Sequence, residues 1–137
     1  MKIYCCTCEA PVEARLTGGT EIYPHRPDLS KLNFWKCDAC NNYVGCHSKT
    51  KDKTRPLGTI PSPELRRARQ KLHGIMDPLW KEGLIKRGDL YRELSKALGK
   101  EFHTAETKTI GEVEDALQVV EKIATRCIGE EQLALFN

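Results

Sequence analysis

Two Cys-x-x-Cys steps, Cys5–Cys8 and Cys37–Cys40, stand 28 residues apart near the start of the chain and limit its fold more than any other feature. Four thiolates are the ligand set of a closed, tetrahedral structural zinc site. The two-residue spacing lets both sulfurs of a step point at one ion while nearby backbone N–H groups turn toward the sulfurs and offset their charge. Asn41 and Asn42 follow the second step, and Asn accepts the left-handed backbone that such a knuckle needs. The spacer reads as a hairpin, Val12 to Leu16 and Glu21 to Tyr23 around Thr17-Gly18-Gly19-Thr20. Phe34-Trp35-Lys36 and Tyr43-Val44 read as further short strands. Residues 1–50 are therefore expected to form a small β zinc ribbon around one structural Zn²⁺, with Cys5, Cys8, Cys37 and Cys40 as its ligands. No βαβ pattern surrounds either step, which argues against redox or iron–sulfur chemistry.

The chain has seven cysteines in all. An odd count, with no apolar signal region in MKIYCCTCEA, argues against a disulfide framework and for thiolate chemistry in a reducing cytoplasm. No apolar run approaches the roughly 20 residues of a membrane span, so no membrane role is expected. At 137 residues and 39% hydrophobic, the chain can build one hydrophobic core plus a metal-built appendage, but not two full cores. Cys6 reads as an exposed bystander inside the first knuckle. Cys127 reads as a small core residue of the last helix. Cys46-His47 follows the last ribbon strand. His47 is a candidate for phosphate contact, for a substitute ligand or for a base, against the plainer reading of a packed histidine.

Charge is unevenly placed. The formal net charge is only +3, yet residues 47–73 carry a net +6 and residues 101–137 a net −5. Four thiolates with Zn²⁺ contribute a net −2 and lower the total to about +1. Whole-chain charge cannot drive DNA binding; only a local basic patch can. The competing reading is a solvated surface whose two halves attract each other.

Residues 51–61 read as a basic linker, rich in Lys, Thr, Pro and Gly. Ser62 is a helix N-cap and Pro63 a first helical residue, opening a helical domain over 62–128. Leu65, Ala68, Leu72, Ile75, Met76 and Leu79 cluster on one side at 100° per residue. Arg66, Arg69, His73 and Asp77 form a polar stripe beside that face, with Trp80 at its border. Gly74 and Pro78 weaken the helix, which is expected to bend or end near Asp77. The stripe is read as phosphate-facing: two guanidinium forks clamp phosphate oxygens and His73, oriented by Asp77, donates. A salt-bridged exterior fits the same pattern, as does a metal held by His73 and Asp77. A second helix over 89–98 buries Leu90, Leu94, Ala97 and Leu98 and ends at Gly99. A third opens on the capping box Thr109-x-x-Glu112 and buries Ile110, Val113, Leu117, Val120, Ala124 and Cys127. The fold class is α+β, a zinc ribbon followed by three helices and a short tail, 129–137.

That tail carries the sharpest functional hint. Gln132-Leu133-Ala134-Leu135-Phe136 resembles the peptide by which bacterial polymerases, repair proteins and some phage proteins dock on the sliding clamp of DNA replication. Leu133, Leu135 and Phe136 suit apolar pockets and the Gln132 amide suits their rim. Ala134 stands where a small polar or acidic residue is usual. The competing reading is a terminal turn that caps the core.

Residues 5–80 as a whole resemble a small zinc-finger-containing family found in phages and prophages. The likeness is carried by the two cysteine pairs, Ile22-Tyr23-Pro24, Tyr43-Val44-Gly45-Cys46-His47 and Pro56-Leu57-Gly58-Thr59. Leu65-Arg66, Arg69, His73 and Asp77-Pro78-Leu79-Trp80 complete it. Glu9 stands where a glycine usually follows the first pair, and Met76 where an aromatic is common. The likeness implies a phage-linked protein of a bacterial cytoplasm and no particular activity; the clamp-like tail is not part of it. The sequence therefore predicts a non-enzymatic accessory protein that contacts DNA through Arg66, Arg69, His73 and His47 and docks on the clamp through its tail. Two alternatives are a protein-level modulator of a host replication or defence complex, and a metal-dependent nuclease resembling the HNH class.

Overall fold

The computed structural model describes residues 1–129. Two compact units divide the chain, Met1–Leu65 and Arg66 onward.

The first unit is built on two small antiparallel sheets. Strands β1 (Lys2–Cys5) and β2 (Ala10–Glu13) pair with Ile3 opposite Val12 and Cys5 opposite Ala10, so the first knuckle is the turn of this hairpin. Strand β3 (Arg15–Gly18) pairs with β4 (Asn33–Lys36), which pairs with β5 (Tyr43–Gly45), and the second knuckle is the turn between β4 and β5. A buried cluster of Ile3, Cys5, Ala14, Cys37, Val44 and Ile60 forms its core. Strands this short cannot stand alone in water.

The expected second hairpin strand, Glu21 to Tyr23, does not form. Gly19–Ile22 is a single helical turn, α1, followed by a 3₁₀ turn at Pro27–Leu29. The cause lies at Gly19: a Cβ there would stand only 1.7 Å from the Leu29 carbonyl oxygen. The returning chain runs against the glycine backbone, so β3 takes β4 as its partner and 19–32 becomes a compact excursion.

The expected linker is also part of the ribbon. Trp35 Nε1 donates to the Thr54 carbonyl at 2.6 Å and Asn33 Nδ2 to the Lys53 carbonyl at 3.0 Å. The Leu57 amide donates to Gly45, and Ile60 exchanges hydrogen bonds with Tyr4 and Cys6. Ile60 is fully buried in the core cluster. The Pro- and Gly-rich composition hid a strap whose bonds to the ribbon strands are long-range.

Helix α2 runs over Pro63–Lys81, and the Leu65 amide donates to Ser62 Oγ at 3.1 Å, the expected N-cap. The helix does not end near Asp77. Pro78 removes one bond, to the Gly74 carbonyl, but Met76 and Leu79 are buried on either side and hold the last turn in place. Helix α3 (Arg87–Leu98) ends on Gly99, whose φ of 74° is the left-handed cap the sequence predicts. After a 3₁₀ turn at Thr104–Glu106, helix α4 (Ile110–Ile128) opens with the Glu112 amide donating to Thr109 Oγ1 at 3.2 Å. Glu112 reaches back to the Lys108 amide, one residue before the cap. The buried line of α4 is Val113, Ala116, Val120, Ile123 and Ala124. Ile110 is exposed, and Leu117 and Cys127 are half-buried, so the arc is rotated from the expected one. Leu72, Met76, Leu79, Leu90, Leu94 and Phe102 complete the buried apolar set of this unit. No described helix is long and apolar enough to cross a membrane.

Candidate metal centre

The two knuckles bring four sulfurs together. The Sγ atoms of Cys5, Cys8, Cys37 and Cys40 all lie within 4.8 Å of one another. Cys5 to Cys40 is 3.5 Å and Cys8 to Cys37 is 3.8 Å, two contacts that run between the knuckles. A tetrahedron with Zn–S bonds of about 2.3 Å has edges of about 3.8 Å. Cys5 and Cys37, the first residue of each step, are buried, while Cys8 is exposed.

Each knuckle turns backbone amides toward its buried sulfur. The Thr7 and Cys8 amides face Cys5, and the Ala39 and Cys40 amides face Cys37. This requires a left-handed residue just past each step: Glu9 has φ 55° and Asn41 φ 66°. Asn41 is the residue the sequence marks for that conformation. Glu9 occupies it at a steric cost that a glycine would avoid.

Left as thiols, these groups conflict. Burial pushes the Cys5 thiol up to about 12, against the pull of the Cys8 and Thr7 amides. Burial would also raise Cys37, but the Cys40 and Ala39 amides and the neighbouring thiols bring it below its ordinary value. A site that crowds sulfurs and aims N–H groups at them suits thiolates around a dication. The donor set, spacing and amide arrangement all fit zinc, and these four residues hold one structural zinc ion.

The sequence reading missed a supporting residue. Asn42 Nδ2 donates to Thr7 Oγ1 at 2.8 Å and to Cys40 Sγ at 3.2 Å. One amide group thus ties the first knuckle to a ligand of the second. A carboxamide within two positions of a Cys-x-x-Cys step is the signal that points to it. The remaining cysteines stand apart. Cys6 Sγ faces the Thr59 hydroxyl at 3.6 Å, Cys46 is half-buried with its thiol raised by burial, and Cys127 lies on α4.

The other predicted site residues are spread over both units. Arg66, Arg69 and His73 share one side of α2. Arg69 lies nearest the buried arc at 100° per residue, and its guanidinium turns inward, Nε donating to Thr107 Oγ1 at 3.0 Å and Nη2 to the Thr107 carbonyl. It staples α2 to the segment before α4. His73 Nδ1 is 3.4 Å from Asp77 Oδ1, and Asp77 also accepts from Trp80 Nε1 at 3.2 Å. His73 and Asp77 gather no third metal-ligating side chain among the described residues; the four cysteines do. His47 lies in the first unit, beside a pocket edged by Lys31 and Lys53. Gln132, Leu133, Leu135 and Phe136 lie outside the described residues.

Searches of curated proteins and of solved structures return no match to this chain. A family profile described as a zinc-finger-containing domain matches residues 1–126, spanning both knuckles and all three long helices. With the four sulfurs gathered as such a finger requires, the chain belongs to that zinc-finger-containing domain family.

Proposed function

We propose that this chain is a zinc-stabilised accessory protein of the phage and prophage kind. In this reading it works in a bacterial cytoplasm, contacts DNA through the basic side of α2 and docks on the replication sliding clamp through residues 132–136. The observation that supports the DNA contact most is the continuity of α2 through Gly74 and Pro78. It keeps Arg66 and His73 on one helix side, next to the buried line of Leu72, Met76 and Leu79. Arg69, bonded to Thr107, holds that side in place, and Arg66 and His73 are the residues assigned to phosphate oxygens in this reading. The clamp contact rests on the sequence of the tail; α4 ends at Ile128, before the Gln132–Phe136 run begins. Tethering to the clamp raises local concentration, so weak DNA contacts suffice.

DNA binding of the zinc-loaded protein, followed against salt concentration, tests the first part. Arg66→Glu should weaken binding and flatten its salt dependence by about one phosphate contact. A parent protein that binds no DNA at low salt overturns it. Recovery of the clamp with and without residues 130–137 tests the second part; undiminished recovery by the truncated chain overturns it.

A second reading, a protein-level modulator without DNA contact, draws support from the acidic surface of α4, where Glu114, Asp115 and Glu121 are exposed. Full partner recovery in nuclease-treated extract, together with no DNA binding, favours it.

A further inference from the structure

On the face of β4 and β5 the ribbon carries a pocket of about 240 Å³. Its origin is a cross-strand pairing. Phe34 on β4 stands directly opposite Gly45 on β5. Most residues opposite an aromatic would cover its flank. Gly45 has nothing to cover it with. Leu32 and Leu57, 38% and 44% exposed, stand at the sides, and the strap residue Leu57 is held there by its amide bond to the Gly45 carbonyl at 2.9 Å. The Phe34 ring is fixed from behind by edge contacts with Tyr23 and Tyr43, at centroid distances of 5.7 and 5.8 Å. The apolar surface is therefore preformed.

The polar lining is cationic. Lys31 and Lys53 are its charged residues, beside Asn33, Cys46, His47 and Ser48, and no carboxylate lines it. Neither lysine has an ion-pair partner among the described residues. The strap continues the same charge, with Lys49, Lys51 and Arg55 exposed around a single acid, Asp52. Asn33 Nδ2, bonded to the Lys53 carbonyl, fixes that lysine's backbone beside the pocket. Phe34 is only 7% exposed, so it forms the floor of the pocket, with Leu32 and Leu57 as its walls. A narrow apolar pocket with cations at its rim takes a flat, apolar group that carries a negative charge. The volume falls below the several hundred Å³ of sites for drug-sized molecules, so one ring system is the limit.

We infer that this pocket binds one unpaired nucleotide of a single-stranded nucleic acid, its base against Phe34 and Leu57 and its phosphate met by Lys31 and Lys53. The basic strap tracks the phosphates on either side. An apolar seat for a base beside a cationic groove holds a strand without sequence preference. The inference shares with the proposed function the premise that the partner is nucleic acid. It uses none of the α2 residues and none of the tail.

The test is fluorescence anisotropy of the zinc-loaded full chain with labelled (dT)8, (rU)8 and a short hairpin duplex at low salt. A Cβ at Gly45 would lie 3.5 Å from Leu57 Cδ1 and 3.8 Å from Phe34 Cε1, ordinary contact distances. Gly45→Ala therefore narrows the pocket while β5 keeps its place. It should weaken strand binding by up to about tenfold, the order expected for one lost base contact, with zinc content and helical circular dichroism unchanged. Lys31→Glu/Lys53→Glu, at two exposed side chains, should weaken the same binding and lower its salt slope. Binding of either the DNA or the RNA strand, weakened in both pocket variants, supports the inference. Strand binding by both variants at the parent's affinity overturns it, as does a parent that binds the duplex but no strand. That last result leaves the α2 reading standing, whereas failure to bind any of the three probes overturns both.

Discussion

The ribbon and the helical unit solve the same problem with different means. The helical unit buries a conventional apolar set, including Leu72, Met76, Leu79, Leu90, Leu94, Phe102 and Val120, over three helices with caps at Ser62, Thr109 and Gly99. The ribbon is of similar length, yet its core cluster contains only six buried residues, and two of them, Cys5 and Cys37, are zinc ligands. Removing the ion removes part of the core itself. A chain of this size cannot fill two cores with side chains alone, and the metal substitutes for the second.

Chelation is the largest expected break in that comparison. Structural zinc contributes about 10–16 kcal/mol of apparent binding free energy in finger peptides at neutral pH, well above the stability of a small domain. Stripping zinc, or making Cys37→Ser, should erase the dispersed amide signals of residues 1–65 while most helical circular dichroism remains. Ribbon signals that survive stripping would make the two units alike after all. The converse experiment is Leu94→Ala, which empties a fully buried site in α3. It should cost the helical unit about 2–5 kcal/mol in thermal unfolding, with one zinc per chain retained.

Smaller changes sharpen the contrast. Glu9→Gly relieves the left-handed backbone after the first step and should stabilise the ribbon by about 1 kcal/mol. It would show as slower zinc loss to a competing chelator. Asn41→Gly should gain less, because Asn already tolerates that conformation. The smallest effect concerns acid. Arg15 holds the Asp38 carboxyl below the usual carboxylate range with bonds of 2.9 Å, and Glu21 likewise, aided by Thr17 and Lys36. Groups with lowered folded-state values stabilise the fold above the ordinary range near pH 4 and lose that contribution as pH falls below it. Arg15→Ala should move the onset of that loss, and the ribbon's acid midpoint, to slightly higher pH. The three side chains are solvated, so the shift will be small and will shrink further in salt.

The parts of this fold that were legible in the sequence are those written locally. The four zinc ligands follow from spacing. Ser62, Thr109 and Gly99 act within a few residues of themselves, and each cap is where its chemistry places it. The misreadings arise where a distant partner decides. Gly19 forms a turn because Leu29 comes back against it, and residues 53–60 join the ribbon because Asn33, Trp35, Gly45 and Tyr4 supply their bonds. The buried arc of α4 runs through Ala116 and Ile123 rather than Ile110, a rotation that helical periodicity alone cannot fix. The charge of Arg69 suggests a phosphate contact, but its position at the edge of the core gives it Thr107 as a partner. Phe34 is legible only as a strand residue and Gly45 only as part of the Tyr43–His47 run, and the pocket between them appears once the register is known.

The strap has a practical consequence for anyone excising the finger. Cutting after the last visible metal-binding signature, near residue 50, would leave the Tyr4 carbonyl and the Cys6 amide facing solvent and open a hole where Ile60 now sits between the knuckles' supporting strands. A metal-binding fragment drawn by motif alone would thus carry all four ligands and still lack the piece that clasps them. The smallest fragment able to keep its ion should extend past Pro61, at the doorstep of the first long helix.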